Sequence, residues 1–355
     1  MVWVELLVVL LFIFLGARIG GIGIGFAGGA GVIVLSLVLG VPTSQAFIPV
    51  DVILIIMSVI TAIAAMQVAG GMDWLVQVAE NFLRKHPERI TFYAPIVTFL
   101  MTLMAGTGHT AFSTLPVIAE VAKGQGVRPS RPLSIAVVAS QIAITASPIS
   151  AAVVAFAAML VPFGVDYLTL LAICIPTTFA ACMVGAFVAN FMGCELKDDP
   201  TYQENLAKGL VKLENNEKRE ILPTAKTATY IFLAAIAFVV CYAAAISKSV
   251  GLIENPALGR NEAIMTVMLA AAAAIVLFTK IDASKISSAA TFRSGMTACV
   301  CVLGVAWLGS TFVNAHVQVL KKWPVHCWLI IHGCWRWYCS LLLCCSTRKV
   351  QPRLL

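Results

Sequence analysis

The chain has 355 residues, of which 60% are hydrophobic and only 12% charged, with a formal net charge of +7. A soluble domain carries roughly 25% charged residues, so half that share makes lipid the expected solvent. Apolar runs recur along the whole chain, which excludes a soluble domain with one anchor, and the basic residues sit in short loops, where topology rather than nucleic acid accounts for them.

Residues 1–5 carry no basic n-region, so the first apolar run, 4–15, is expected to be a retained span rather than a cleaved signal peptide. It continues into 16–31, which holds eight glycines. Gly16/Gly20, Gly21/Gly25 and Gly25/Gly29 each have small-xxx-small spacing, which lets membrane helices approach closely. Gly23, Gly25 and Gly28 also spell GxGxxG, with Asp51 downstream. A dinucleotide fingerprint needs a preceding strand and a βαβ unit, and neither is present, so helix packing is the better reading. Residues 32–39 complete a second span. Asp51 opens the third, 52–68, where an acid at the N-terminal edge suits the interface. Gly70 and Gly71 end that helix, and 72–85 is amphipathic, with Trp74, Leu75, Val78 and Phe82 on one side, as for a helix lying in the interface.

Residues 90–105 and 111–122 follow. The second is too short to cross, since a span needs ~20 residues. A re-entrant hairpin with its tip at 106–110 fits the lengths, with Glu120 near its mouth and close to Lys123. After a basic loop, 123–131, the run 132–161 is long enough to cross but is cut at 145–148. Proline there removes a backbone donor and clashes with the preceding turn, so polar groups must cover the freed carbonyls. Residues 165–192 span again, 195–226 form a polar loop in which Leu206, Leu210 and Leu213 suggest a short surface helix, and spans are expected at 227–246, 263–278 and 296–313. If the hairpin returns to its own side, one face receives sixteen Lys and Arg and the other only Lys248 and Arg260. That asymmetry reads as positive-inside with the N-terminus periplasmic.

The two polar interruptions are the candidate site. Lipid cannot satisfy open backbone groups, so broken helix at membrane depth persists only where it is enclosed by protein or lines a wet cavity. Two breaks in one region mark a substrate site near the midplane. The residues concerned are Thr107, Gly108, His109, Thr110, Ser113 and Thr114 at the first break, and Gln141, Thr145, Ser147, Pro148 and Ser150 at the second. Helix N-termini just past each break offer partial positive charge and unpaired donors, which suits a small carboxylate anion. Against this stands ordinary back-bonding of Ser and Thr to their own helices. His109 is a ligand for a carboxylate or, with some preference, a donor holding the tip.

At these residues the chain resembles a known family. Residues 15–25, 66–71, 105–109 with 115–120, 141–150 and 304–309 are similar to the anaerobic C4-dicarboxylate transporters of the Dcu type, over about 1–315. The resemblance implies a bacterial inner-membrane carrier that takes up or exchanges fumarate, malate, succinate and aspartate during anaerobic growth. It also implies inverted repeats, each with a hairpin and a broken helix. The expected fold is thus an all-α polytopic membrane protein of about eight to nine transmembrane helices plus a re-entrant hairpin. Its parts are a first repeat at 1–194, a cytoplasmic loop at 195–226, an incomplete second repeat at 227–315 and a tail at 316–355.

That tail departs from the family. Residues 321–355 hold five of the eleven cysteines and four of the seven tryptophans, with no helical face separating polar from apolar positions. Out-of-frame translation after about His316 is the expectation, and an inactive transporter remnant is then the alternative. A Cys/His metal tail at His326, Cys327, His332 and Cys334 lacks regular spacing. No metal, disulfide or other cofactor is expected, and nucleic acid is not a partner. The expected partners are small dicarboxylates, the bilayer and a coupling ion, proton or sodium, with homo-oligomerisation left open. An intramembrane enzyme built on His109 and Ser113 lacks HExxH, GxSxG and an orienting acid. An anion channel using the same helix dipoles is the other rival.

Overall fold

The computed structural model describes residues 2–160, 165, 167–193, 195, 196, 198–207, 221–247, 252, 253 and 256–322. Among them there is no strand. In chain order the helices are α1 (Val2–Ile19), α2 (Gly23–Ile33), α3 (Val50–Val68), α4 (Gly71–Lys85), α5 (Ile90–Ala105), α6 (His109–Phe112) and α7 (Leu115–Gly124). After them come α8 (Ser130–Ile142), α9 (Ala151–Leu160), α10 (Tyr167–Asn190), α11 (Pro200–Ala207), α12 (Ala225–Ala245), α13 (Arg260–Thr279) and α14 (Ala290–Lys322). Among the described residues six helices are long and apolar enough to cross a bilayer: α1, α3, α10, α12, α13 and α14. The chain is an all-α membrane protein. Lys321 and Lys322 end α14; the rest of the Cys/Trp-rich tail, and residues 208–220 of the polar loop with Leu210 and Leu213, lie outside the described residues.

Two compact units are present, and each is described by itself. The first holds the described residues of 1–49 and those from 300 onward. Gly20 and Gly21, with φ of +74° and +53°, turn the chain between α1 and α2. Helix α2 then crosses α14 at glycine: a Cβ added to Gly28 would lie 2.3 Å from the carbonyl carbon of Gly304, and one on Gly304 only 2.0 Å from the Gly25 oxygen. Backbones this close leave no room for any side chain, which is how membrane helices gain dispersion contact without a hydrophobic driving force. The expected Gly25/Gly29 pairing is replaced by Gly25/Gly28, since a Cβ on Gly29 meets nothing within 4 Å. The loop before α3 is tied to α14 by Trp307 Nε1, which donates to Thr43 Oγ1 at 2.9 Å, and by a 2.9 Å bond between the Thr43 and Thr311 hydroxyls. Glu5, buried in the first turn of α1, is paired with His316 of α14.

The second unit is Val50–Cys299. Helices α3, α12 and α13 share a core of Ile55, Ile63, Met66, Phe232, Met268 and Ile275. A separate core joins α4, α5, α7 and α8 through Val76, Leu83, Val97, Ile118 and Ala136. The expected apolar side of α4 is corrected here: Met72, Val76, Ala79 and Leu83 pack inward, while Val78 and Phe82 remain exposed. At 100° per residue these are adjoining sectors, so α4 has a protein face, an outward apolar face and a polar face of Asp73, Gln77, Glu80 and Arg84. Three such faces are the pattern expected of an element lying along an interface.

Arg131, at the start of α8, is only 8% exposed and closes the C-terminal end of α10. Its Nε donates to the Met192 carbonyl at 2.5 Å, one terminal nitrogen to Gly193 at 2.7 Å and the other to Glu195 at 2.5 Å. Met192 and Gly193 lie just past the end of α10, and the planar guanidinium fork ties this exit loop to the start of α8. Arg131→Ala removes three hydrogen bonds made by a buried cation to exposed acceptors that water can reach, and is expected to cost about 1–2 kcal/mol. A lowered melting temperature of the purified protein in detergent, restored only in part by Arg131→Lys, would be the readout.

Candidate functional site

The site is built from two interrupted helices of the second unit. Helix α5 ends at Gly106, whose φ of +69° is the left-handed conformation that closes a helix and that glycine adopts without penalty. The returning arm differs from the expected single helix over 111–122. It is two pieces, α6 and α7, with Ser113 and Thr114 between them. Pro116 explains the second cut, because it has no N–H and its ring conflicts with the carbonyl four residues before. The end of the arm comes back to the end of α4: Glu120 of α7 accepts from Arg84 there, at 3.0 Å to each carboxylate oxygen. Arg84 lies just before the start of α5, so both ends of the hairpin meet there. Glu120 thus pairs with Arg84, with Lys123 three residues on in the same helix. The Arg84 pKa is raised; burial alone would lower it, but the hydrogen bonds and charges of Glu80 and Glu120 outweigh that.

The second interruption follows α8 through a 3-10 turn at Ala143–Thr145 and ends where α9 begins. Pro148 has no N–H to offer the Ile144 carbonyl four residues back. Ser150 Oγ donates to that carbonyl at 2.6 Å, and accepts from the Val153 N–H at 3.2 Å, capping α9. One hydroxyl thus repairs both the cut and the new helix start, as expected of polar residues beside an intramembrane proline.

The two interruptions lie against one another. Gly106 faces Ile149, where an added Cβ would sit 3.0 Å from its Cγ1, and Gly108 faces the Gln141 amide, 2.5 Å from its Nε2. Ser147 Oγ crosses to donate to the Leu103 carbonyl at 2.7 Å. Further up, Thr98 Oγ1 donates to the Ala136 carbonyl at 2.8 Å. Hairpin tip and helix break are therefore joined directly.

The candidate side chains divide by role. Thr114, Ser147 and Ser150 are fully buried, and their hydroxyls are engaged with the carbonyls of Ala111, Leu103 and Ile144. Thr145 donates back to Ile142 at 2.7 Å, yet remains exposed. Thr107, Ser113 and Gln141 are half-buried, and Gly108 and Pro148 are buried. The side chains of His109 and Thr110 lie outside the described residues, although their backbone begins α6. Sequence reasoning missed Tyr167 and Arg260. The Tyr167 hydroxyl donates to the Pro148 carbonyl, and the Arg260 guanidinium stacks 4.9 Å over the Tyr167 ring. Only an apolar span with a tyrosine at its start signals the first, and nothing local signals the second. Tyr167→Phe leaves a buried carbonyl without its donor and is expected to cost about 1–3 kcal/mol, read as a loss of melting temperature in detergent.

A family model described as "Anaerobic c4-dicarboxylate membrane transporter" matches residues 1–347. The chain belongs to this family. A C4-dicarboxylate transporter DcuA of Wolinella succinogenes is 63% identical over 317 residues, covering 89% of this chain and 73% of that protein. The DcuA transporter of Escherichia coli K12 is 52% identical over 322 residues, with 90% and 74% covered. An anaerobic C4-dicarboxylate transporter DcuB of Escherichia coli O6:H1 is 35% identical over 333 residues, with 90% and 73% covered. No solved structure matches the chain. Membership of the anaerobic C4-dicarboxylate transporter family makes the chain a transporter and not an enzyme.

Proposed function

We propose that the protein carries C4-dicarboxylates, namely fumarate, malate, succinate and aspartate, across the bacterial inner membrane under anaerobic conditions, by uptake or exchange. The observation that supports this site is the direct packing of Gly106 and Gly108 on Ile149 and Gln141. It brings Thr107, Gly108, Ser113 and Thr114 to the same region as Gln141, Thr145, Ser147, Pro148 and Ser150, with His109 and Thr110 at the tip. Small hydroxyl and amide groups recognise a carboxylate by hydrogen bonding, and helix α9 adds the partial positive charge of its N-terminal end.

In this reading Ser147, Ser150 and Thr114 hold the breaks open, while Thr107, Ser113, Gln141 and Thr145 meet the substrate. Eight to nine spans in an inverted-repeat plan would place the N-terminus in the periplasm, with the sixteen basic loop residues on the cytoplasmic face. A proton or sodium ion as coupling partner, and a homo-oligomeric carrier, belong to the same proposal. Labelled fumarate and aspartate uptake by anaerobic cells lacking their own carriers, and expressing the full chain, tests it. Saturable uptake that is accelerated by unlabelled dicarboxylate on the far side supports a carrier. Non-saturable flux would mean a channel, and no uptake would leave the chain without transport activity.

A further inference from the structure

The turn between α4 and α5 carries a cluster that the transport site does not use. Lys85, His86, Pro87, Glu88, Arg89 and Tyr93 line a cavity of about 330 Å³ open to the surface. Lys85, His86 and Arg89 are exposed, whereas the neighbouring Arg84 is committed to Glu80 and Glu120. Glu88 is the single carboxylate lining this cavity, so Lys85 and Arg89 leave it basic. Two of the lining rings, His86 and Tyr93, pack on Phe82 beside the cavity, the three centres 5.2–5.4 Å apart.

Through Phe82, which packs on His86 and Tyr93, the cavity adjoins the outward apolar face of α4. Val78, Phe82 and Lys85 are four and three residues apart, so they form one stripe running from hydrocarbon to cation. Val78 is 47% exposed and Phe82 38%. An exposed apolar stripe that ends in two cations at an interfacial helix terminus matches one kind of molecule, with acyl chains on one side and a phosphate on the other. A free anion would use the cations and leave the stripe uncovered.

We infer that the cluster at Lys85 and Arg89 binds the phosphate of an anionic phospholipid, whose acyl chains lie along Val78 and Phe82. The lipid is held by charge at Lys85 and Arg89 and by apolar contact at Phe82, and it fixes the interfacial helix to which the hairpin mouth is tied through Arg84 and Glu120. This is independent of the transport reading.

The test uses the purified full chain in detergent, with bound lipid counted by native mass spectrometry as dioleoylphosphatidylglycerol or dioleoylphosphatidylcholine is added. The wild-type chain is expected to retain phosphatidylglycerol in preference to phosphatidylcholine. Lys85→Gln with Arg89→Gln should weaken that retention about thirtyfold, the effect of two basic residues at an anionic surface, without lowering the melting temperature. Phe82→Ser should weaken it several-fold as well. Equal retention of both lipids by the wild type, or unchanged retention by the double variant, would overturn the inference. So would displacement of the lipid by inorganic phosphate or fumarate at concentrations that do not disturb the double variant, because the cluster would then be a simple anion site.

Discussion

Gly304→Val is expected to destabilise the first unit by about 3 kcal/mol or more, since overpacking a close contact costs 1–3 kcal/mol even where the neighbours can yield. Here they cannot. The first added carbon would fall 2.0 Å from the Gly25 oxygen and 2.8 Å from its Cα, and backbone does not rotate away as a side chain does. Separating α2 from α14 to fit the new group would forfeit the dispersion contact that holds membrane helices together. Gly29→Val is the matched control, because nothing lies within 4 Å of a Cβ there. Thermal denaturation in detergent should show a large drop for the Gly304 variant and little change for the Gly29 variant. Equal melting temperatures would mean that the α2–α14 crossing does not exist as described.

Ser150→Ala is the second large effect, at about 2–4 kcal/mol. It removes the donor to the Ile144 carbonyl and the acceptor for the Val153 N–H together. A buried unsatisfied backbone group costs about 1–3 kcal/mol, with loss of a helix cap in the same range. Ser147→Ala breaks one bond, to Leu103, and should cost less. The order therefore matters more than either value: stability in detergent should fall for Ser147→Ala and further for Ser150→Ala. The reverse order would show that the contact with the hairpin, and not the repair of the proline cut, holds this break together.

Glycine and proline punctuate apolar sequence chiefly where a helix must break or approach another closely, and this made much of the fold legible in the chain. Gly106 and Pro148 mark both interruptions, and the short run after Gly106 marks a hairpin, which the contact between Arg84 and Glu120 supports. What could not be read is which group each polar residue meets. Ser147 is spent on Leu103, 44 residues away, and Ser150 on a carbonyl that its own proline orphaned; one needs the tertiary packing and the other the local geometry. The glycine stripe of α2 offers several spacings, and the choice of Gly25 and Gly28 is made by α14, far along the sequence. The inward face of α4 is hidden for a related reason. A helix with two apolar sectors gives one broad signal, and only its neighbours decide which sector is buried. Pro116 is visible in the sequence, but the apolar run around it masks the cut between α6 and α7. Tyr167 and Arg260 reach the second break only through the fold.

If the two packed interruptions are the dicarboxylate site, equilibrium binding of labelled fumarate to the purified full chain reports on them most directly. Gln141→Leu and Thr145→Val should each weaken binding about tenfold, the loss of one hydrogen bond to a charged group of roughly 1.5 kcal/mol. Thr177→Val, on the exposed side of α10 where its hydroxyl only back-bonds within its own helix, should bind as the wild type does. Fumarate binding that is unchanged in both the Gln141 and the Thr145 variants would place the site elsewhere and contradict this assignment.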